Sequence, residues 1–178
     1  LVWSKLNHKK FIHLTDGTLN SEINIGKIQK LARKIITKNA DSCIASSTKA
    51  KEKLLAWGVK EKEIFISLLT VDTSQYSKIK KKFGENKLLY VGSMIKRKGL
   101  DLLIDALPYI DTEYELRIVG NGSHEEIGSL SNQAEKLGVA EHINWCGFKS
   151  GKDLAQEYNE ATIFILPTRE DCFGLVLL

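Results

Sequence analysis

From Lys87 onward, short apolar runs alternate with longer amphipathic stretches, and glycines punctuate the places where runs end. That rhythm constrains the fold more than any other feature. Strands alternating with helical patterns pack as βα units around a parallel sheet. Residues 87–91 read as a strand, and 99–107 as a helix stopped by Pro108. Strands follow at 114–119, 142–145 and 163–166, with helices at 125–137, closed by Gly138, and 152–158. The apolar run that ends the chain is expected to begin a further helix.

The first part of the chain carries the same rhythm. Residues 11–15 read as a strand ending in the turn Asp16-Gly17-Thr18. Residues 22–38 read as a helix, because Ile25, Ile28, Leu31, Ala32 and Ile35 recur at three- and four-residue spacing, with Ser21 as its N-cap. A strand at 43–45, a helix at 48–57 ended by Gly58 and a strand at 64–66 complete this part. Between 70 and 86 the periodicity gives way to polar, lysine-rich sequence, which reads as a linker.

A hydrophobic content of 43% and a charged content of 27% fit a soluble globular protein. The formal charge of +4 is modest, but the cations are grouped: Lys78-Ile-Lys-Lys-Lys82, Lys96-Arg-Lys98, and Lys27, Lys30, Arg33, Lys34 and Lys38 on one helix. Such groups suit phosphate-bearing small molecules or an anionic membrane surface, or are simply solvated. No recognition helix or aromatic-rich binding strand accompanies them, which argues against nucleic acid. Cys43, Cys146 and Cys172 lack paired spacing, which argues against a disulfide framework or a zinc site and fits a reducing cytoplasm. No apolar stretch is long enough to span a bilayer. With leucine at position 1, the chain reads as part of a longer protein.

Four stretches carry chemistry. In Leu88-Leu-Tyr-Val-Gly-Ser-Met-Ile-Lys-Arg-Lys-Gly99 a strand runs through Gly92 and Ser93 to a basic triplet at a helix start, where free N–H groups and Lys98 suit a diphosphate. Ile118-Val-Gly-Asn-Gly122 is a second strand-to-helix turn, with Ser123 as N-cap. It lacks the third glycine of the dinucleotide fingerprint. Asn144-Trp-Cys-Gly-Phe148 offers an aromatic frame for a flat base, or core packing for Trp145. In Pro167-Thr-Arg-Glu-Asp-Cys-Phe-Gly174 the carboxylates of Glu170 and Asp171 follow a strand end, where ligands of open α/β sheets bind. Ionised carboxylates accept hydrogen bonds from sugar hydroxyls.

In this order the motifs resemble the donor-binding half of a GT-B glycosyltransferase, within family four, the retaining group with many bacterial capsule, lipopolysaccharide and exopolysaccharide enzymes. The resemblance rests on Tyr90-Val-Gly92, Arg97-Lys-Gly99, Ile118-Val-Gly-Asn-Gly122, Cys146-Gly-Phe148 and Pro167-Thr168 through Phe173-Gly174. It implies an α/β fold of two Rossmann-like βα domains with parallel sheets, both incomplete here. Residues 1–72 would be the C-terminal part of the acceptor domain, 73–86 a hinge, and 87–178 the nucleotide-sugar donor domain.

The implied reaction transfers a sugar, of hexosyl type, from a UDP- or GDP-linked donor to the hydroxyl of a saccharide or lipid-linked acceptor, with retention. Lys98 would neutralise the diphosphate. Gly92, Ser93, Arg97, Gly120, Asn121, Gly122, Gly147, Phe148, Phe173 and Gly174 would line the donor, and Glu170 and Asp171 would hold its sugar. No metal or other cofactor is expected. Localisation would be cytoplasmic, with peripheral contact to an anionic membrane.

The sequence departs from the family pattern at several places. Ser93 stands where the family has an arginine on the diphosphate, a loss for which Arg97 is the candidate substitute. Asp16 stands where many members have a histidine, and serves the acceptor or caps its turn. Asp171 falls on the first of two family glutamates, and the second falls one position beyond Leu178. Two alternatives stay open: a nucleotide-sugar-binding module without catalysis, and a GT-B nucleotide-sugar epimerase.

Overall fold

The computed structural model describes residues 1–76, 86–171 and 174–177. It divides into two compact units: Leu1–Val71 with residues 174–177, and Asp72–Asp171. Most of the expected hinge, with the lysine cluster at 78–82, lies outside the described residues, as do Cys172, Phe173 and Leu178.

The first unit runs α1 (Val2–Leu6), β1 (Ile12–Thr15), α2 (Lys27–Lys38), β2 (Ser42–Ala45), α3 (Thr48–Ala56), β3 (Ile64–Ile66). Its three strands lie in the order β1-β2-β3, all parallel. The register sets His13, Cys43 and Ile64 in one row and Leu14, Ile44 and Phe65 in the next, so these rows face opposite sides. Helix α3 covers the first side and buries Cys43, Ala45, Ala50, Leu54, Val59 and Ile64. Ser47 caps α3 by accepting from the Ala50 amide, and Gly58 beyond its end takes φ +85°.

Helix α2 begins at Lys27, behind Gly26, and not at residue 22. Ser21 is therefore not its N-cap; the Ser21 hydroxyl closes a loop with Thr18 instead. Glu22 lies in a short 3-10 turn, Asn20–Glu22, and its buried carboxylate is claimed by Lys53 and Arg33. A buried charge must be paired, and that requirement outweighs helical periodicity here.

The second unit runs β4 (Lys87–Val91), α4 (Leu100–Ala106), β5 (Glu115–Val119), α5 (His124–Lys136), β6 (Ile143–Gly147), α6 (Gly151–Glu160), β7 (Ile163–Phe164). The strand order is β6-β5-β4-β7, all parallel. The chain steps outward from β4 to β5 and β6, then crosses back to place β7 on the other side of β4. That reversal creates a crevice at the carboxyl end of β4.

Both faces of this sheet are covered. Leu88, Tyr90, Leu116 and Ile118 face α4 and α5 and share a core with Leu100, Ile104 and Leu130. Arg117 alternates to the other face, where its guanidinium fork donates to both oxygens of Glu157 on α6 at 2.6 and 2.8 Å. Lys149 also donates to Glu157, whose side chain is 4% exposed. Burying one carboxylate between two cations fastens α6 to the sheet. Tyr76, ahead of β4, meets Tyr158 on α6 edge to face at 5.7 Å.

Some element boundaries differ from the sequence expectation. Lys96–Lys98 form a 3-10 turn and Gly99 is left-handed, so α4 starts at Leu100. Pro108 does not end that helix by itself; it sits in the first turn of a 3-10 segment, Leu107–Tyr109, that continues it. The closing apolar run forms only a 3-10 turn, Leu175–Leu177. β6 extends to Gly147, and β7 is confined to Ile163–Phe164.

Candidate functional site

The loops after β4, β5, β6 and β7 all emerge at one end of the second sheet, because its strands are parallel. After β4 come Gly92 and Ser93, and after β5 come Gly120, Asn121 and Gly122. These two loops are pressed together. The Gly92 amide donates to the Val119 carbonyl at 2.9 Å, and the Met94 amide to the Asn121 carbonyl at 2.8 Å. Gly120 sits at φ +148°, and a Cβ there would lie 1.8 Å from the Gly92 carbonyl oxygen. Only glycine permits that approach. A Cβ on Gly122 would come within 2.9 Å of the Met94 side chain.

The basic turn and the acidic loop meet in the same manner. Gly99 takes φ +73°, and a Cβ there would fall 2.0 Å from the Pro167 carbonyl oxygen. The Arg169 amide donates to the Arg97 carbonyl at 2.9 Å, and the Thr168 hydroxyl donates to the same oxygen at 3.2 Å. The Arg97 guanidinium returns a bond to the Glu170 carbonyl at 2.6 Å. Arg97 is thus engaged with the loop in this structure. Held in this way, Lys98 Nζ stands 2.5 Å from Asp171 Oδ2, with both side chains largely buried at 17% and 21% exposure.

Glu170 plays a different part. Its Oε1 is buried and finds no hydrogen-bond partner among the described residues. A buried acceptor left unsatisfied costs about 1–3 kcal/mol. A hydroxyl donor placed there would relieve that cost.

Arg169 was placed in this loop by the sequence without a role, and nothing in the sequence marked Asp101. The Arg169 guanidinium spans both oxygens of Asp101 at 2.6 and 2.8 Å and also donates to the Lys96 carbonyl at 2.7 Å. Lys96 Nζ approaches Asp101 at 3.4 Å. Hydrogen bonding from Arg169, followed by Lys96, holds the Asp101 carboxyl at about 2, well below the usual carboxylate range. A cleft of about 450 Å³ between α4 and α5 includes Asp101, Asp105 and Glu126 in its lining. Those acids bond to Arg169, Gln133 and Ser123, and the cleft lining contains neither Lys98 nor Asp171, so it is distinct from the Lys98–Asp171 pair.

The remaining candidates divide. Gly147 takes φ +68° at the end of β6, and Phe148 beside it is 68% exposed. Trp145 packs against the core. Gly174 takes φ +65°, and Phe173 lies outside the described residues. Tyr90 donates its hydroxyl to the Ser93 carbonyl at 2.8 Å, and burial pushes its phenol up to about 12. Asp16 belongs to the first unit. Its loop is held by Thr15, Thr18 and Ser21, and the Asp16 carboxylate makes no hydrogen bond among the described residues.

Comparison with known proteins places the fold and the family. The chain is 27% identical over 164 residues to mannosylfructose-phosphate synthase of Agrobacterium fabrum, covering 81% of this chain and 36% of the relative. It is 26% identical over 160 residues to an uncharacterized 41.2 kDa protein in the cps region of Klebsiella pneumoniae, covering 84% and 42%. The chain thus spans less than half the length of either. The structure of Alr3699/HepE from Anabaena in complex with UDP and glucose superposes with a TM-score of 0.84 at 16% identity, over 98% of this chain and 51% of that one. The fold is GT-B. Residues 72–178 match the model of the family Glycosyl transferases group 1, and the chain belongs to that family.

Proposed function

We propose that the chain carries the nucleotide-sugar site of a glycosyltransferase that moves a hexosyl group from a UDP- or GDP-linked donor to a hydroxyl acceptor with retention. The observation that carries this reading is the Lys98–Asp171 pair at 2.5 Å, beside the glycine turns of β4 and β5. In the reaction, the bond between the sugar's anomeric carbon and the diphosphate oxygen breaks. A bond from that carbon to the acceptor oxygen forms, and the acceptor proton departs. Negative charge grows on the diphosphate as it leaves, and a fixed cation placed there lowers the barrier. Lys98 fills that role, with no metal required of the protein. Glu170 and Asp171 are assigned to the donor sugar's hydroxyls, and exposed Phe148 offers a ring to the base.

A place in cell-surface polysaccharide or lipopolysaccharide biosynthesis draws on the relative in the cps region. Asp16 is assigned to the acceptor side. Peripheral contact with an anionic membrane draws on α2, where Ile28 and Leu31 are 86% and 58% exposed among lysines. Among the described residues no helix is long and apolar enough to cross a membrane.

Calorimetry with UDP and GDP tests the assignment through two variants of opposite sign. Lys98→Ala removes the cation and weakens binding. Asp171→Asn removes the carboxylate that competes with the diphosphate for Lys98 and tightens it. Binding of neither nucleotide, or two variants indistinguishable from the parent, sinks the reading.

A further inference from the structure

We infer that Arg169 and Asp101 are positioning residues that hold Lys98 and Asp171 in register, an inference that rests on the donor-site reading above. The two loops that supply Lys98 and Asp171 lie 73 positions apart in sequence and belong to different βα units. Their alignment therefore depends on cross-links. Backbone contacts at Arg97 and the packing of Gly99 on Pro167 fix one side of the junction. Arg169 fixes the other. Its planar fork grips the carboxylate of Asp101 in the first turn of α4, and one of its nitrogens also holds the Lys96 carbonyl. A bidentate guanidinium–carboxylate pair fixes direction as well as distance, which a single lysine bond does not.

Arg169 thus ties the acidic loop to both ends of the segment that carries Lys98. Lys96 precedes Lys98 by two residues, and Asp101 follows it by three. In the described contacts the Arg169 guanidinium joins Asp101 and the Lys96 carbonyl, so its influence on nucleotide binding passes through the position of the turn.

The test is a double-mutant cycle on the intact chain. UDP and GDP affinities are measured by calorimetry, and folding is checked by far-ultraviolet circular dichroism and melting. Arg169→Gln is expected to weaken binding of whichever nucleotide binds by about threefold or more. Arg169→Lys, which keeps the charge without the fork, is expected to recover part of that loss. In the Arg169→Gln background Lys98→Met is expected to cost less than in the parent, because a displaced lysine has less to lose. Asp101→Asn preserves shape and leaves Arg169 its bond to the Lys96 carbonyl, and is expected to fall between parent and Arg169→Gln even if the latter folds poorly.

A purely structural role gives a different pattern: lower melting temperature, unchanged affinity, and additive effects of Arg169→Gln and Lys98→Met. That pattern overturns the inference. If the parent binds neither nucleotide, the donor-site reading fails and the positioning role goes with it. If the parent binds and Lys98→Met weakens it while both Arg169→Gln and Asp101→Asn bind as the parent does, only the positioning role fails.

Discussion

The two units use the same βα grammar but satisfy it differently. In the second unit, α4 and α5 cover one face of the sheet and α6 the other, and the long apolar side chains lie in one core. In the first, α3 covers one face, while Leu14 and Phe65 in the opposite row are 59% and 58% exposed. Parallel sheets are normally buried on both sides. The first unit's small apolar core is supplemented by a buried polar cluster. Lys53 and Glu22, 3% and 4% exposed, meet at 3.4 Å, Arg33 adds a second cation, and Lys53 also reaches the Thr15 hydroxyl at 3.0 Å. The second unit also buries one carboxylate, Glu157 between Arg117 and Lys149, but sets it beside a larger apolar core. The first depends more heavily on charges that cannot be left unpaired.

The largest effect expected from that contrast lies in the second unit's close-packed loops. Gly120→Val forces a branched side chain where a single Cβ already collides with the Gly92 carbonyl. Hydrogen exchange is expected to show lost protection in β4 and β5, with first-unit amides unchanged. Next comes the first unit's polar cluster. Lys53→Met leaves Glu22 buried with only Arg33, and breaking a buried pair from one side costs about 3–5 kcal/mol. Denaturant titration measures the loss, and adding Glu22→Leu is expected to restore much of it, because no charge then remains buried.

A smaller effect follows from pH. Arg117, and after it Lys149, lowers the Glu157 carboxyl to about 2, as Arg169 does for Asp101. A carboxylate with a depressed folded-state pKa stabilises the fold above its unfolded pKa and loses that contribution as pH falls through the folded value. Both groups belong to the second unit. Its stability should therefore decline as pH falls from about 4 to about 2, and Glu157→Gln should flatten that slope. A slope unchanged by Glu157→Gln would show that other groups govern the acid response.

The smallest effect sharpens the comparison itself. Leu14→Ser, on the exposed row of the first sheet, is expected to change stability by no more than about 0.5 kcal/mol. Leu116→Ala, on β5 in the second unit's buried core, is expected to cost about 2–5 kcal/mol. Equal costs would mean that Leu14 is covered in solution.

Much of the fold was legible because local chemistry and tertiary packing agree. The strands Ile64–Ile66 and Lys87–Val91 appear where the apolar runs place them. Gly58 and Gly138 take the positive φ expected beyond helix ends, and Ser123 forms a capping box with Glu126. Where the two levels disagree, the sequence reading fails. Residues 22–26 carry helical spacing, yet the demand to pair Glu22 takes that residue out of the helix.

The site divides along the same line. Glycines that must turn sharply, and a lysine and acids near strand ends, announce themselves in one dimension, because backbone sterics and charge are properties of residue type. The sequence by itself determined the βα order, the parallel sheets and the motifs of a glycosyltransferase. Tertiary structure alone decided that Lys98 faces Asp171, that Glu170 keeps an unsatisfied oxygen, and that Arg169 clasps Asp101. Those contacts join residues about seventy positions apart, and only the crossover that returns β7 beside β4 brings them within bonding distance.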